Sequence, residues 1–319
     1  MKSSNASGLL LFLLASTGLV AACQAPVAED GATSATTTGP IAEQVAEGGA
    51  ADVVEATAQV PSTLFAKDGF VVYETDGRLW IFREDSADLQ EFLSIGEPAK
   101  HVIKIAAGPG GRTVKAPDTD TILAYLGARD GFVTRVVDGR IWVFAEGDAE
   151  SLADFERQGE PAKHIIRPSA GPLGATIKAV DAATADAYQF AKPGFTVLPD
   201  ADGRLWVFRS GSDALAEVLA NGEPAKHVIR PAAGPRGRTL KAVDQDVIAA
   251  YMAACDGFET MIEDGRIWVF LPGSEALEQY RSVGEPAKSV TLVGAGPLGM
   301  TVRAVDREVA NAYLRTVNS

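Results

Sequence analysis

Histidine and cysteine are the scarce residues of this chain, which carries three of the first and two of the second in 319 residues. Two cysteines, Cys23 and Cys255, cannot build a paired-cysteine metal site or the disulfide framework of a small secreted domain. Long apolar runs are missing too. The longest near the start, Leu9 to Leu14, is too short to span a bilayer. No nucleophile elbow, H-E-x-x-H pair or EF-hand loop occurs. Positive charge is also short: 29 Lys and Arg stand against 42 Asp and Glu, a formal charge of -13, which argues against nucleic acid or anionic lipid headgroups as partners.

What the chain does have is repetition. Gly96-Glu97-Pro98-Ala99-Lys100 returns at Gly159, Gly222 and Gly284, at spacings of 63, 63 and 62 residues. The chain therefore divides into four copies of one unit, residues 61–128, 129–191, 192–254 and 255–319. Each copy opens with two aromatic strands around Asp-Gly, at Asp76, Asp138, Asp202 and Asp264, a dipeptide that supplies positive φ at both centres of a type I′ turn. All four tryptophans, Trp80, Trp142, Trp206 and Trp268, fall on the second strand, and copy three gains a residue near Pro199 to Ala201 that predicts a longer loop.

A short amphipathic helix follows, read from Leu89, Phe92 and Leu93, and Gly-Glu-Pro ends it. A second strand pair, joined by a Gly-Pro turn, leads to a last helix capped by Asp118, Asp181, Asp244 and Asp306, which carries Tyr125, Tyr188, Tyr251 and Tyr313 inward. The fold class is α+β, four tandem ββαββα repeats. Shifted by one strand, the order becomes βαββαβ, a ferredoxin-like arrangement if first strands are exchanged between neighbours. A unit of this size buries a marginal core, so the copies are expected to lean on each other as a linear array or a compact ring.

The first 22 residues have a secretory layout, with Lys2, an apolar run and small residues before Cys23. Val20-Ala21-Ala22-Cys23 resembles the lipobox of bacterial lipoproteins. That resemblance implies cleavage before Cys23, acylation of Cys23 and anchoring to a membrane by lipid in the cell envelope, with Gln24 favouring an outer membrane where the host has one. Residues 23–60 read as a disordered acidic tether: six Asp and Glu and no Lys or Arg, with a reach of roughly 35 Å. That leaves -8 for the four repeats. With Cys23 acylated, Cys255 is the one remaining thiol and reads as incidental.

Two residue sets are candidates for function. The first is the repeated loop with its acid, cation and imidazole: Glu97, Lys100 and His101, then Glu160, Lys163 and His164, then Glu223, Lys226 and His227, then Glu285 and Lys288. Copy four has Ser289 in place of the histidine, so an imidazole is not obligatory, and the expectation is that Glu and Lys pair with Arg78-type or Asp118-type residues of their own or the next copy, fixing the loop between helix and strand. In a closed ring the three histidines would converge as metal ligands, but no ligand spacing supports a metal and no cofactor is expected.

The second set is Trp80, Trp142, Trp206 and Trp268, which would stack on sugar rings or peptide side chains if exposed and fill the core if not. Gly294 to Gly299 spells G-x-G-x-x-G, but a strand rather than a helix follows, so it reads as a turn. The order of aromatic hairpin, helix and Gly-x-Pro loop is similar to that of YHS-type modules, whose metal-associated members use cysteines this chain lacks; no residue role transfers. The expected function is a non-catalytic envelope lipoprotein whose modules bind a protein or envelope glycan. A structural spacer is the alternative, and a hydrolase or metal-dependent enzyme ranks behind both.

Overall fold

The hairpins form where Asp-Gly places them. Asp76 and Gly77, Asp138 and Gly139, and Asp264 and Gly265 all adopt positive φ, and the resulting register sets Tyr73 opposite Trp80, Arg135 opposite Trp142 and Met261 opposite Trp268. The structure is a computed structural model and describes residues 60–318. The leader, Cys23 and nearly all of the expected tether lie outside the described residues.

Repeat 1 runs β1 (Phe70–Thr75), β2 (Arg78–Arg83), α1 (Ala87–Ile95), β3 (Val102–Lys104), β4 (Thr113–Ala116) and α2 (Thr119–Gly127). Repeat 2 runs β5 (Phe132–Val137), β6 (Arg140–Ala145), α3 (Ala149–Gln158), β7 (Ile165–Arg167), β8 (Thr176–Ala179) and α4 (Ala182–Phe190). Repeat 3 runs β9 (Phe195–Pro199), β10 (Leu205–Arg209), α5 (Asp213–Asn221), β11 (Val228–Arg230), β12 (Leu240–Ala242) and α6 (Gln245–Ala253). Repeat 4 runs β13 (Glu259–Glu263), β14 (Arg266–Phe270), α7 (Glu275–Val283), β15 (Val290–Leu292), β16 (Thr301–Ala304) and α8 (Arg307–Val317).

Each repeat builds its own four-stranded mixed sheet in the order first, second, fourth, third, with the two central strands parallel. Strand exchange between neighbours, which the ferredoxin-like frame required, is absent from these sheets. The reason is the turn: a two-residue hairpin fixes β1 to β2 and leaves no chain length to reach another sheet. In repeat 3 the extra residue opens the turn, so β9 ends at Pro199, β10 begins at Leu205, and the Asp200 side chain accepts from the Asp202 and Arg204 amides to hold the loop.

Alternation along each strand divides the core into two layers. In repeat 1, Leu79, Ile81, Val114 and Ala116 pack against Ile122 and Tyr125 of α2, while Trp80 and Phe82 pack on the opposite face against Leu89 and Phe92 of α1. Leu93, placed on the same apolar stripe by its spacing, is exposed. All four aspartates predicted as N-caps accept the expected amide three residues on. Gly96 and its counterparts do not take the left-handed helical position; φ is 83° at Gly96 but ψ is -143°, an extended positive-φ state open in practice to glycine alone.

The last helix of each repeat carries a tyrosine with no exposed surface, and its hydroxyl donates to a carbonyl just before its own first strand: Tyr125 to Phe65, Tyr188 to Gly127, Tyr251 to Phe190 and Tyr313 to Ala253, at 2.7–3.0 Å. Burial raises all four phenols above their ordinary range. A folded-state value above the unfolded one means stability that is intact below about pH 10 and is lost as pH rises through the folded values. Alkaline unfolding above pH 10 should follow by circular dichroism. Tyr188→Phe should lose about 1–2 kcal/mol at neutral pH, with a shallower alkaline fall.

Candidate functional site

The face of each sheet beneath the first helix holds one polar set, repeated. Parallel pairing places Lys115 beside Trp80, Lys178 beside Trp142, Lys241 beside Trp206 and Arg303 beside Trp268. The three lysines are 4% exposed, and each amine lies over the indole at 4.3–5.0 Å from the ring centre. Such a cation needs an anion. The loop supplies it: Lys115 donates to Glu97, Lys178 to Glu160 and Lys241 to Glu223 at 2.7–2.8 Å.

His101, His164 and His227 complete the set. Each Nδ1 faces a proline carbonyl three residues earlier at 3.0–3.2 Å, and a carbonyl only accepts, so Nδ1 carries the hydrogen. Each Nε2 points at the same glutamate at 3.1–3.4 Å, and each ring leans on its own tryptophan with centres 5.0–5.2 Å apart. The hydrogen bond from Lys115, helped by its charge and by His101, holds the Glu97 carboxyl below the ordinary carboxylate range, and Glu160 and Glu223 follow the same pattern.

Repeat 4 solves the problem with one side chain. Arg303 spans the space of lysine and histidine, pairing with Glu285, donating to Ser289 Oγ at 2.9 Å and lying 4.1 Å over Trp268. Its Nε is left buried without a partner.

The four tryptophans are between 2% and 6% exposed. Trp80, Trp142, Trp206 and Trp268 therefore present no open stacking face; of the two expectations for them, they take the one in which they fill the core. Of the mixed partners opposite them, Tyr73 is buried with its indole and Met261 packs against the Trp268 cluster, while the Arg135 side chain is 42% exposed and reaches Glu156 of α3 at 2.5 Å.

The structure separates the sequence-predicted loop set. Glu97, Glu160, Glu223 and Glu285 pair inward, whereas Lys100, Lys163, Lys226 and Lys288 are exposed and join no ion pair among the described residues. The three histidines sit on the helix-covered faces of three separate sheets rather than converging, and no grouping of metal-ligating side chains occurs among the described residues. Lys115, Lys178, Lys241 and Arg303 escaped the sequence reading. Their signal was a cation inside an apolar strand, 18 residues after each glutamate at the repeat period.

A second polar set lies where repeats meet, at the residues that precede the first strands: Lys67, Arg129, Lys192 and Cys255. The cations donate to the carbonyls that end their own repeat's last helix: Lys67 to Tyr125 and Ala128, Arg129 to Tyr188 and Ala191, and Lys192 to Met252, each also lying over the tyrosine ring. Burial pushes the Lys192 amine down to about 8 and the Cys255 thiol up to about 12, so Cys255 is not an activated nucleophile.

Asp256 of repeat 4 reaches Lys67 of repeat 1 at 4.0 Å. Two open hollows between repeats 3 and 4, of about 220 and 520 Å³, share Arg209 and Thr260; Cys255 and Glu259 also line the first, and Asp246 and Asp264 the second. Gly294 to Gly299 forms a turn between β15 and β16, not a strand-to-helix phosphate loop. No known protein family, no curated protein and no solved structure matches this chain.

Proposed function

We propose that this chain is a non-catalytic envelope lipoprotein, held by lipid on Cys23, that displays four modules for binding a protein partner. The observation that carries the reading is the internally satisfied polar set. In three repeats one glutamate and one lysine neutralise each other against an indole with a histidine ring beside them, and in the fourth Glu285 and Arg303 do so. Catalysis requires unlike groups left free to meet a substrate, and four copies of one closed clasp supply none. Burial of the tryptophans removes the support for sugar stacking and favours protein over glycan.

We read the modules as a closed ring rather than a row. Supporting this, α2 packs on the turn Pro172–Gly174 of repeat 2, α6 on the turn Pro297–Gly299 of repeat 4, and α8 returns to the turn Pro109–Gly111 of repeat 1. The Gly110 amide donates to the Asp256 carbonyl at 3.2 Å across the same joint. Repeated modules on one anchor raise the effective concentration of every site, which suits weak individual contacts.

Two results test the reading. In an expressing bacterium, labelled palmitate should enter the wild-type chain and not Cys23→Ser, which should leave the membrane fraction; label retained by Cys23→Ser contradicts the anchor. The purified full chain in detergent should stay in the supernatant when cell-wall sacculi are sedimented, with unchanged tryptophan emission. Co-sedimentation with an emission shift would restore the glycan reading.

A further inference from the structure

The third strand of each repeat, β3, β7, β11 or β15, is an edge of its sheet. The opposite edges are protected: β5, β9 and β13 pack against the last helix of the preceding repeat, and β1 receives a bond from the Ser62 amide to Val72 at 2.7 Å. An open edge offers unpaired N–H and C=O groups to any other strand, and proteins defend such edges with charges and prolines. Repeats 1 to 3 place a cation at the last residue of the strand: Lys104, Arg167 and Arg230. Arg167 pairs with Asp186 of α4 at 3.2 Å, and Arg230 donates to Gln245 of α6 at 2.9 Å on the surface. Repeats 2 and 3 add proline at the next position, Pro168 and Pro231.

Repeat 4 has neither defence. Leu292 and Val293 stand at the two positions, and from Ser289 to Val302 no residue is charged. Among the described residues β15 pairs with β16 alone, and Val293 beyond it is 85% exposed. We infer that β15 is a self-association edge, on which two copies of this chain pair β15 against β15, antiparallel about a twofold axis.

Charge selects a second copy as the occupant. Pairing β3, β7 or β11 with its own counterpart brings a cation from each copy into the same short ladder, which is unfavourable. Pairing β15 brings Val290, Thr291 and Leu292 against themselves with no charge in the ladder. Copies of net charge -13 repel at a distance, so the neutral edge is where close approach costs least. Three residues make a small contact, so the dimer is weak and concentration-dependent. The inference rests on this edge alone and is independent of the binding reading above.

Sedimentation velocity on the full chain in detergent micelles tests it. Wild type should shift reversibly from monomer to dimer as concentration rises to about 100 μM, the range of a weak contact. Leu292→Lys and Val293→Pro restore residue types that the sister repeats already carry, so both should keep the wild-type circular dichroism and melting. Each should weaken the dimer by about tenfold or more. Thr291→Cys should cross-link to a covalent dimer with a copper–phenanthroline oxidant beyond the wild-type background. A wild-type chain that stays monomeric overturns the inference, including the case in which β15 accepts an extended peptide from another protein. Variants that dimerise as tightly as wild type, or a Thr291→Cys chain that does not cross-link, overturn it as well.

Discussion

Trp142→Ala should destabilise repeat 2 by about 3–5 kcal/mol, the usual cost of deleting a buried indole. The side chain is 2% exposed and packs against Phe144, Phe155 and His164, with the Lys178 amine 5.0 Å from its ring centre. Removing it opens a cavity and takes the aromatic face from a buried cation in the same step. Helix α3 has no fully buried residue of its own, so it depends on this contact to stay on the sheet. Urea unfolding followed by circular dichroism should show the loss, with acrylamide quenching of the remaining tryptophans little changed. A loss below about 1 kcal/mol would mean that the indole is not a core residue, because exposed positions tolerate substitution within about that range.

Gly257→Ala should be the most damaging of the glycine substitutions before the first strands. Gly69, Gly131, Gly194 and Gly257 share a positive φ of 75–82°, so alanine costs about 1–2 kcal/mol of backbone strain at each. Space separates them. A Cβ at Gly69, Gly131 or Gly194 meets nothing within 4 Å, whereas at Gly257 it falls 1.8 Å from the Gly110 amide nitrogen of repeat 1. Repeat 4 cannot stay seated on repeat 1 with that atom present. Gly131→Ala should therefore show the backbone cost alone and Gly257→Ala at least about twice as much, read as the difference between their urea midpoints. Equal losses would remove the contact between repeats 1 and 4 as a source of stability.

Much of one repeat was legible because its signals are local. Asp-Gly fixed the hairpin register, the capping aspartates fixed the start of the last helix, and the i, i+3 spacing of Leu89 and Phe92 found the first helix. The pairing of β2 with β4 was not legible, since it joins strands separated by a helix, an edge strand and a turn. With that pairing unknown, the partner of Glu97 was out of reach: Lys115 lies 18 residues away and meets it only because β4 runs parallel beside Trp80. Glu97 bonds Lys115 rather than the expected Arg78-type residue, and Lys100, three residues after it, is exposed instead of pairing with an Asp118-type residue. The tryptophans were ambiguous for a related reason. Alternation shows that Trp80 and Leu79 face opposite ways, but not that each face has its own helix to cover it.

Closure of the four repeats is tested most directly by amide hydrogen exchange at Gly110, read by NMR. Its N–H donates to the Asp256 carbonyl across the joint between repeats 1 and 4, while the corresponding amides of Leu173, Arg236 and Leu298 have no backbone acceptor among the described residues. A closed ring predicts a Gly110 amide protected well beyond those three and released in Gly257→Ala. Exchange at Gly110 as fast as at Leu173, Arg236 and Leu298 would mean that repeat 1 and repeat 4 are apart in solution and that the modules form a row.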